Sequence, residues 1–365
     1  VGGDGTARAA AAAAAEAVED EEEVHFNNPA DMVGSNPLQD AVSEWYRTAV
    51  HAAPLDSLTV RLFRLLAHTL ARPALEQMFD EQTDFSKRLF SFTANAKFED
   101  AAAHTSLRGA VAEWKERYGL RRVYAWHTIG GYWGGVSSVA PQMAHLRPSD
   151  VKPSPTRSLL EVEPALGWDA AALFGVGTVH PQRLLSFYHG LHGYLAAAGV
   201  DGVKVDGQSG LTAFGRGAGG SAAGVRAHTH AMEASVAEHF EQNRCINCMC
   251  HSSENLYAFR QTAVLRAADD FYPDDAASQP VHLANVAYNS LFLSALGTPD
   301  WDMFQSAHPD AGMHAAARAV GGSPVYVSDA PGAHDLPLLR KLVLPDGSTL
   351  RCPTAGRPTR DCLFA

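Results

Sequence analysis

The chain has 365 residues, with 29 Lys and Arg against 40 Asp and Glu, so its formal net charge is −11, and 46% of its residues are hydrophobic. This composition excludes fibrous and wholly disordered proteins, and the acidic balance, with no basic run, argues against nucleic-acid binding. The longest apolar runs fall far short of the roughly 20 residues that span a bilayer, so no transmembrane segment is expected.

Cysteine usage indicates a reducing compartment. The five cysteines are an odd number, and three of them crowd into Cys245, Cys248 and Cys250, which suits reduced thiols better than a disulfide framework. Val1 is followed by an alanine run and an acidic run, without the pattern of a secretory signal. We therefore expect a cytoplasmic protein, with the plastid as the alternative, and the sequence leaves the oligomeric state unknown.

Three segments follow one another along the chain. Residues 1–35 are low-complexity Ala, Gly and Glu, which predicts a tail. Residues 36–94 carry apolar positions such as Leu62, Leu65 and Leu66 at helical spacing, which predicts a helical insertion. From residue 95 to 365, helical stretches alternate with short β-branched or aromatic runs, which predicts parallel strands joined by helices.

The last segment contains five predicted helices and six predicted strands. The helices are Ala101–Tyr118, Pro181–Ala198, Ala222–Phe240, Val281–Ala295 and Met313–Val320. The strands are Arg122–His127, Gly202–Asp206, Arg244–Cys250, Val264–Asp270, Trp301–Phe304 and Pro324–Asp329. Most of these strands end in polar or aromatic groups, which is typical of a (β/α)8 barrel whose active site lies at the carboxyl ends of its strands. A closed barrel needs eight strands, so the predicted barrel is incomplete.

The strand Gly202–Asp206 ends in two charged residues. Lys204 and Asp206 are two positions apart and therefore project to the same side of the strand. One interpretation is an internal ion pair, since buried charges usually survive as pairs. The other is a carboxylate kept ionised by an ammonium group and ready to act as a nucleophile.

A second carboxylate follows the strand that begins at Val264. Arg266 precedes Asp270 by four residues, and Asp269 and Asp270 are adjacent, so at most one of the two points inward. A loop pair that caps the next helix is the alternative. Two carboxyl groups from different barrel strands meet the requirement of a glycoside-cleaving site.

Two other motifs support weaker hypotheses. The sequence from Cys245 to His251 has metal-like spacing, but a structural zinc site of this type needs a second knuckle nearby, and a strand explains these cysteines more simply. Residues 214–220 are rich in glycine but lack the ending of a phosphate-binding loop, so a mobile loop at the barrel mouth is expected there.

Eight motifs in the last segment resemble, in order, those of the raffinose synthase and seed imbibition protein family. They are Asn95-Ala-Lys-Phe98, Tyr124-Ala-Trp-His127 with Gly130-Gly-Tyr-Trp-Gly-Gly135, Gly199-Val-Asp-Gly-Val-Lys-Val-Asp206, Cys248-Met-Cys-His251, Arg266-Ala-Ala-Asp-Asp-Phe-Tyr-Pro273, Pro299-Asp-Trp-Asp-Met-Phe304, Tyr326-Val-Ser-Asp329 and Leu344-Pro-Asp-Gly-Ser348. The family includes galactinol–sucrose galactosyltransferases and alkaline α-galactosidases of plants and green algae.

The resemblance implies a (β/α)8 barrel and a retaining double displacement on an α-galactoside. Asp206 matches the family nucleophile, and Asp270 matches the acid/base. Residues that match the lining of the galactose subsite are Trp126, Lys204, Cys250, Arg266 and Asp302.

The same resemblance implies the partners. Small sugars are expected, namely galactinol, sucrose and raffinose, and neither a metal nor an organic cofactor is expected. Transfer to sucrose and hydrolysis by an alkaline α-galactosidase share the same motifs, so both activities stay open.

Two family motifs are absent from the sequence. They are a first-strand Trp-Cys-Thr-Trp-Asp pattern and a second-strand Asp-Asp-Gly-Trp pattern, whose carboxylates bind galactose in relatives. We therefore expect a fragment that supplies strands three to eight of a barrel, poorly soluble and inactive when expressed alone. A non-catalytic truncated remnant is the alternative to an enzyme.

Overall fold

The computed structural model describes residues 87–95, 98, 106–153, 155–162, 170–215 and 219–364, together with Leu58 and Leu62. These residues fall within one compact unit, Tyr46–Ala365. The predicted tail at 1–35 and most of the predicted helical insertion at 36–94 lie outside the described residues, so the domain boundaries stay predictions.

Strands and helices alternate through most of the described part of the chain. The strands are β1 (Tyr124–Thr128), β2 (Ser149–Val151), β3 (Val176–Thr178), β4 (Gly202–Asp206), β5 (Cys245–Asn247), β6 (Val264–Arg266) and β7 (Thr298–Asp300). The α-helices are α1 (Leu107–Tyr118), α2 (Arg157–Val162), α3 (Ala170–Phe174), α4 (Leu184–Ala197), α5 (Ser221–His239), α6 (Ser253–Leu256), α7 (Ser278–Leu293), α8 (Ala311–Gly321), α9 (Leu336–Arg340) and α10 (Arg360–Phe364).

The five predicted helices are confirmed as α1, α4, α5, α7 and α8. The helix predicted from Ala101 begins at Leu107, and residues 101–105 lie outside the described residues, while the other helix ends differ from the prediction by at most three residues. Local chemistry sets the bounds of α1. Ser106 Oγ accepts a hydrogen bond from Gly109 N at 3.0 Å and so caps the helix at its start. Gly119 ends it with φ +65°, a left-handed conformation that glycine adopts without steric cost.

The central sheet has five strands in the order β1-β4-β5-β6-β7, and every pairing is parallel. The fold is therefore mixed α/β with a parallel sheet, as predicted in its coarse form. Because parallel strands end at one edge of the sheet, the residues that follow β4, β6 and β7 meet there. In the register of β1 and β4, Trp126 is paired with Lys204, and Thr128 with Asp206.

Two predicted strands are wrong. The strand near residue 300 is Thr298–Asp300, which precedes the predicted Trp301–Phe304. The predicted strand Pro324–Asp329 contains only a single parallel bridge, between Val327 and Phe304. The reason for the first error is Asp302, whose φ of +64° cannot continue a strand and whose amide donates to Asp300 Oδ1 at 3.0 Å.

A small antiparallel pair, β2 and β3, was not predicted, since three-residue strands are too short to show a sequence period. It comes within van der Waals contact of the loop after β1. A Cβ on Gly135 would lie 2.2 Å from Gly177 O, and one on Gly177 would lie 1.7 Å from Val136 O. Only glycine permits this backbone crossing, which holds the Gly130–Gly135 turn in place.

The main hydrophobic core includes apolar residues of β4 and of the helices α4 and α5. It includes Phe187, Val203, Val205, Met232 and Val236, all wholly buried. Each such large side chain contributes roughly 1.5–3 kcal/mol through the apolar area that it removes from water. The core therefore anchors the strand that ends at Asp206.

Histidines form a buried polar layer next to this core. His192 Nε2 lies 3.1 Å from His127 Nε2, and His192 Nδ1 lies 2.9 Å from Ser235 Oγ. Tyr188 donates its hydroxyl to Ile129 O at 2.7 Å and lies 3.0 Å from His228 Nδ1. Burial lowers the pKa of His192 to about 2 and the pKa of His127 and of His228 to about 4. These imidazoles are therefore neutral at pH 7.

A buried carboxylate on α5 organises the segment that leads into β6. Glu233 accepts hydrogen bonds from the amides of Arg260, Gln261 and Thr262 and from the Thr262 hydroxyl, at 2.7–3.1 Å. Such a set of donors offsets the cost of burying the charge. It also sets where β6 starts, and β6 ends at Arg266.

Within the part of the chain that the structure describes, no helix has both the length and the apolar character to cross a membrane.

Candidate active site

Asp206 is the last residue of β4, and its buried carboxylate is held on both oxygens. Trp126 Nε1 donates to Asp206 Oδ2 at 3.0 Å, and Gly207 N donates to Asp206 Oδ1 at 2.7 Å. Gly207 has φ +65°, which turns the backbone so that its amide reaches back to this oxygen. The structure thus places two predicted site residues, Trp126 and Asp206, in direct contact.

Aromatic rings surround the Trp126 indole. Its ring lies 5.4 Å from the ring of Trp133 and 6.0 Å from that of Tyr132, centroid to centroid. Both partners belong to the turn that follows β1, which Gly135 holds in place. Three aromatic side chains therefore lie together next to the Asp206 carboxylate.

Lys204 does not form the ion pair with Asp206 that its spacing suggests. The ion pairs at this edge of the described structure join Arg266 to Asp270 and to Asp302, and none joins Lys204 to Asp206. The Lys204 charge instead acts on the thiol of Cys248 and lowers its pKa, against a larger increase due to burial.

The Cys248 thiol interacts with both Asp206 and Arg266. Burial raises the pKa of this thiol, and the Asp206 carboxylate raises it further. Its sulfur also accepts a hydrogen bond from Arg266 Nη1 at 3.5 Å. The neutral thiol therefore connects the Asp206 side of the site to the Arg266 side.

Arg266 forms ion pairs with two of the predicted site carboxylates, Asp270 and Asp302. Its Nη2 lies 2.7 Å from Asp270 Oδ1 and 2.7 Å from Asp302 Oδ2, and it donates to Asp269 O at 2.9 Å. The Arg266 and Asp302 side chains are 2% and 1% exposed, whereas that of Asp270 is 62% exposed. Asp270 is therefore the accessible carboxylate of this group, and Asp302 is the buried counter-ion. Burial lowers the pKa of Arg266, but Asp302 and the other negative neighbours reverse this, so the group stays charged.

The backbone at Asp302 is in a conformation that residues other than glycine rarely adopt, and its surroundings hold it there. Its Oδ2 accepts from Phe271 N at 2.8 Å, which ties it to the segment after β6. Its carbonyl accepts from Arg318 Nε at 2.9 Å, and Arg318 Nη2 also donates to the carbonyls of Trp301 and Met303. Strained backbone of this kind persists only where several contacts fix it, and it is common at functional sites.

Asp300 and Tyr326 form a hydrogen-bonded pair next to Asp302. The Tyr326 hydroxyl lies 3.0 and 2.9 Å from the two oxygens of Asp300. Burial raises the pKa of Asp300 and of Tyr326. The phenol is therefore neutral and donates to the carboxylate.

Cys250, another predicted site residue, is wholly buried. Its thiol lies 3.6 Å from Asn247 O, and burial raises its pKa to about 12. The next residue, His251, contacts the carbonyl of Arg266 through Nε2. The loop after β5 is thus bonded to the end of β6.

The cysteines from Cys245 to Cys250 do not form a metal-binding cluster in the described part of the chain. The group of three metal-ligating side chains that comes close together there contains no cysteine. Burial raises the pKa of the Cys245, Cys248 and Cys250 thiols above the ordinary value. All five cysteines are free.

Four residues of the site were not predicted, namely Cys248, Asp300, Arg318 and Tyr326. Asp300 and Tyr326 lie inside motifs that carry the family resemblance, but the motifs did not indicate what these two side chains do. Arg318 lies inside a predicted helix, where a lone arginine is usually solvent-exposed. Cys248 was predicted to be a strand residue but follows directly after β5, and its contacts depend on the neighbouring strands.

Comparisons with known proteins identify the family of the chain. A profile of the family described as raffinose synthase or seed imbibition protein Sip1 matches residues 70–365. Over 279 residues, which are 76% of this chain and 37% of the relative, the chain is 48% identical to a probable galactinol–sucrose galactosyltransferase of Arabidopsis thaliana.

Two further relatives come from crop plants. The chain is 41% identical over 288 residues to the galactinol–sucrose galactosyltransferase of Oryza sativa subsp. japonica, covering 76% of this chain and 36% of that protein. It is 34% identical over 279 residues to the stachyose synthase of Pisum sativum, covering 70% and 32%. The chain thus spans about a third of the length of these relatives. By the extent of the profile match, it belongs to the raffinose synthase and seed imbibition protein family.

Proposed function

We propose that the protein containing this chain transfers an α-galactosyl group from galactinol to sucrose, which yields raffinose and myo-inositol. The similarity to galactinol–sucrose galactosyltransferases of Arabidopsis thaliana and Oryza sativa subsp. japonica supports this donor and acceptor. The proposal rests on two aspartates at one edge of the parallel sheet. Asp206 is buried and accepts a hydrogen bond from Trp126, whereas Asp270 is exposed and paired with Arg266.

Asp206 is the proposed nucleophile. Its carboxylate attacks the anomeric carbon of the galactosyl group, and a bond forms to that carbon as the bond to the myo-inositol oxygen breaks. The hydrogen bonds from Trp126 and Gly207 hold the carboxylate in one orientation, which lowers the entropy cost of the attack.

Asp270 is the proposed acid/base. It gives a proton to the departing myo-inositol oxygen, and in the second step it takes a proton from the sucrose hydroxyl that attacks the same carbon and releases Asp206. Two inversions at one carbon retain the α-configuration. With water in place of sucrose, the same steps give hydrolysis, so the choice between acceptors depends on how the surrounding loops exclude water.

The remaining predicted residues have supporting roles in this proposal. Trp126 and the rings next to it bind the galactose face, while Lys204, Cys250 and Asp302 line or support the subsite. Arg266 keeps Asp270 beside the leaving oxygen. In this proposal the five parallel strands form part of a (β/α)8 barrel. In barrels of this kind the active site lies at the carboxyl ends of the strands, which is where Asp206 and Asp270 are found.

The test of the nucleophile is chemical rescue. In the active protein, Asp206→Ala should abolish transfer, and added azide should restore turnover with a galactosyl azide of inverted configuration as the product. Asp274→Ala, an exposed turn residue, serves as the control. Wild-type turnover in Asp206→Ala would show that another group is the nucleophile. Product ratios with and without sucrose separate a transferase from a hydrolase.

A further inference from the structure

Three metal-binding side chains meet on the packed helices α4 and α5. His189 lies on α4, and Glu238 and His239 are the last two residues of α5. His189 Nδ1 is 3.1 Å from His239 Nε2, and His189 Nε2 is 3.4 Å from Glu238 Oε2. One donor atom from each residue can be chosen so that all three lie within 4.8 Å of one another.

This cluster lies away from the candidate active site. The helix α5 returns the chain from the carboxyl end of β4 to the start of β5, so its last residues lie toward the opposite edge of the sheet from Asp206. None of the proposed galactosyl-transfer steps uses these three residues, and no quoted sequence motif contains them.

The donor atoms suit a zinc ion. Two imidazole nitrogens and one carboxylate are a common zinc ligand set, and zinc bonds of about 2.0–2.1 Å place tetrahedral ligands roughly 3.3 Å apart. The 3.1 Å between the two imidazole nitrogens is close to that spacing. His189 and His239 are half-buried and Glu238 is exposed, so the ion has a route from solvent.

The local backbone favours a cation at the same place. The carbonyls at the carboxyl end of a helix carry a partial negative charge, and His239 is the last residue of the 19-residue helix α5. The His239 ring also packs over a glycine of α4. A Cβ on Gly193 would lie 3.3 Å from His239 Cε1 and 3.7 Å from its Nε2, tighter than ordinary contact for the carbon. Glycine in a helix interior costs roughly 0.5–1 kcal/mol relative to alanine, and here it leaves room for the imidazole.

We propose that His189, Glu238 and His239 bind one Zn²⁺ ion, with water in the remaining position, and that the ion ties α4 to α5. The metal replaces the proton shared between the two imidazoles, and the exposed Glu238 side chain rotates to supply the third ligand. Because both helices pack on β4, the ion stabilises the support of the strand that ends at Asp206 rather than taking part in the chemistry.

The test uses the purified protein after removal of metal by a chelator, with Zn²⁺ titrated by calorimetry. One Zn²⁺ per chain should bind, and the melting temperature should rise with Zn²⁺ concentration, since a ligand of the folded state alone stabilises it. His189→Ala and His239→Ala should each weaken binding about 100-fold, in line with loss of a ligand or its support. His145→Ala, an exposed histidine elsewhere, should bind as the wild type does.

Two measurements on the wild type keep the proposal testable if a variant fails to fold. Co²⁺ in place of Zn²⁺ should give a tetrahedral spectrum without a thiolate charge-transfer band, because no cysteine is a ligand. Zn²⁺ should also protect His189 and His239, but not His145, from acylation by diethylpyrocarbonate, as read by mass spectrometry. A thiolate band, absence of stoichiometric binding, or equal acylation with and without Zn²⁺ would overturn the proposal.

Discussion

Arg266 Nη2 lies 2.7 Å from Asp302 Oδ2 in a position where both side chains are almost wholly buried. The pair joins the end of β6 to the segment after β7, because Asp302 also accepts the amide of Phe271 and its carbonyl accepts from Arg318. A buried ion pair becomes costly when one partner is removed, since the other charge is left without compensation.

The first prediction concerns this pair. Asp302→Asn should lower the free energy of unfolding by about 3–5 kcal/mol, because it leaves the Arg266 charge buried without its one buried counter-ion among the described residues. Urea unfolding measures the change, with the exposed Asp346→Asn as the control. The double variant Arg266→Met with Asp302→Asn should lose less than the sum of the two single variants. Additive losses would show that the two side chains are not coupled.

The second prediction concerns the hydrogen bond from Trp126 to Asp206. Trp126→Phe keeps an aromatic ring next to Trp133 but removes the indole N–H that orients the carboxylate. We expect kcat/KM for galactosyl transfer to fall about 10-fold to 100-fold, the worth of one hydrogen bond to a charged group. Trp114→Phe, on α1, should leave kcat/KM unchanged. A rise in KM alone, with kcat preserved, would contradict an orienting role.

The third prediction separates the adjacent aspartates. Asp270→Asn should lower the rate with galactinol by roughly 10²-fold to 10⁴-fold, because no proton reaches the departing oxygen. The loss should be much smaller with an activated aryl α-galactoside, whose leaving group needs no proton. Asp269→Asn keeps the backbone carbonyl that contacts Arg266 and should behave as the wild type does with both donors. Equal losses with the two donors would exclude Asp270 as the acid.

The fourth prediction follows from the buried histidines. The folded pKa values of His127, His192 and His228 lie at about 4, 2 and 4, below the ordinary value of 6.5. Between these limits the unfolded chain binds more protons than the folded chain, so stability is fully present above pH 6.5 and falls as the pH decreases.

Each histidine contributes about 1.4 kcal/mol per pH unit to this slope where it is protonated only in the unfolded chain. Urea midpoints between about pH 6.5 and pH 4.5 should show the decline. His192→Asn should reduce the slope by the contribution of one histidine, whereas His145→Gln, at an exposed position, should leave the slope unchanged. Stability that is constant over this range would mean that the imidazoles are not buried in neutral form.

The local sequence determined a large part of the central sheet. The strand Gly202–Asp206 was predicted with its observed bounds, because a short run of alternating valines is flanked by Gly199 and Gly207, where the backbone turns. The five helices were predictable for a similar reason, since capping residues and apolar spacing are read within a few neighbours. The two aspartates were singled out by their place at strand ends, and the roles given to them stay predictions.

Only the tertiary structure decided which side chains meet at the edge of the sheet. Whether a residue after a strand contacts its neighbours depends on the register between strands and on single backbone angles such as those of Met249 (φ +46°) and Asp302 (φ +64°). Those angles place Cys248 between Asp206 and Arg266 and make Asp302 the buried partner of Arg266. They are stabilised by bonds from distant elements, including Arg318 on α8. Contacts between residues far apart in the chain leave no local sequence pattern, so the fold alone establishes them.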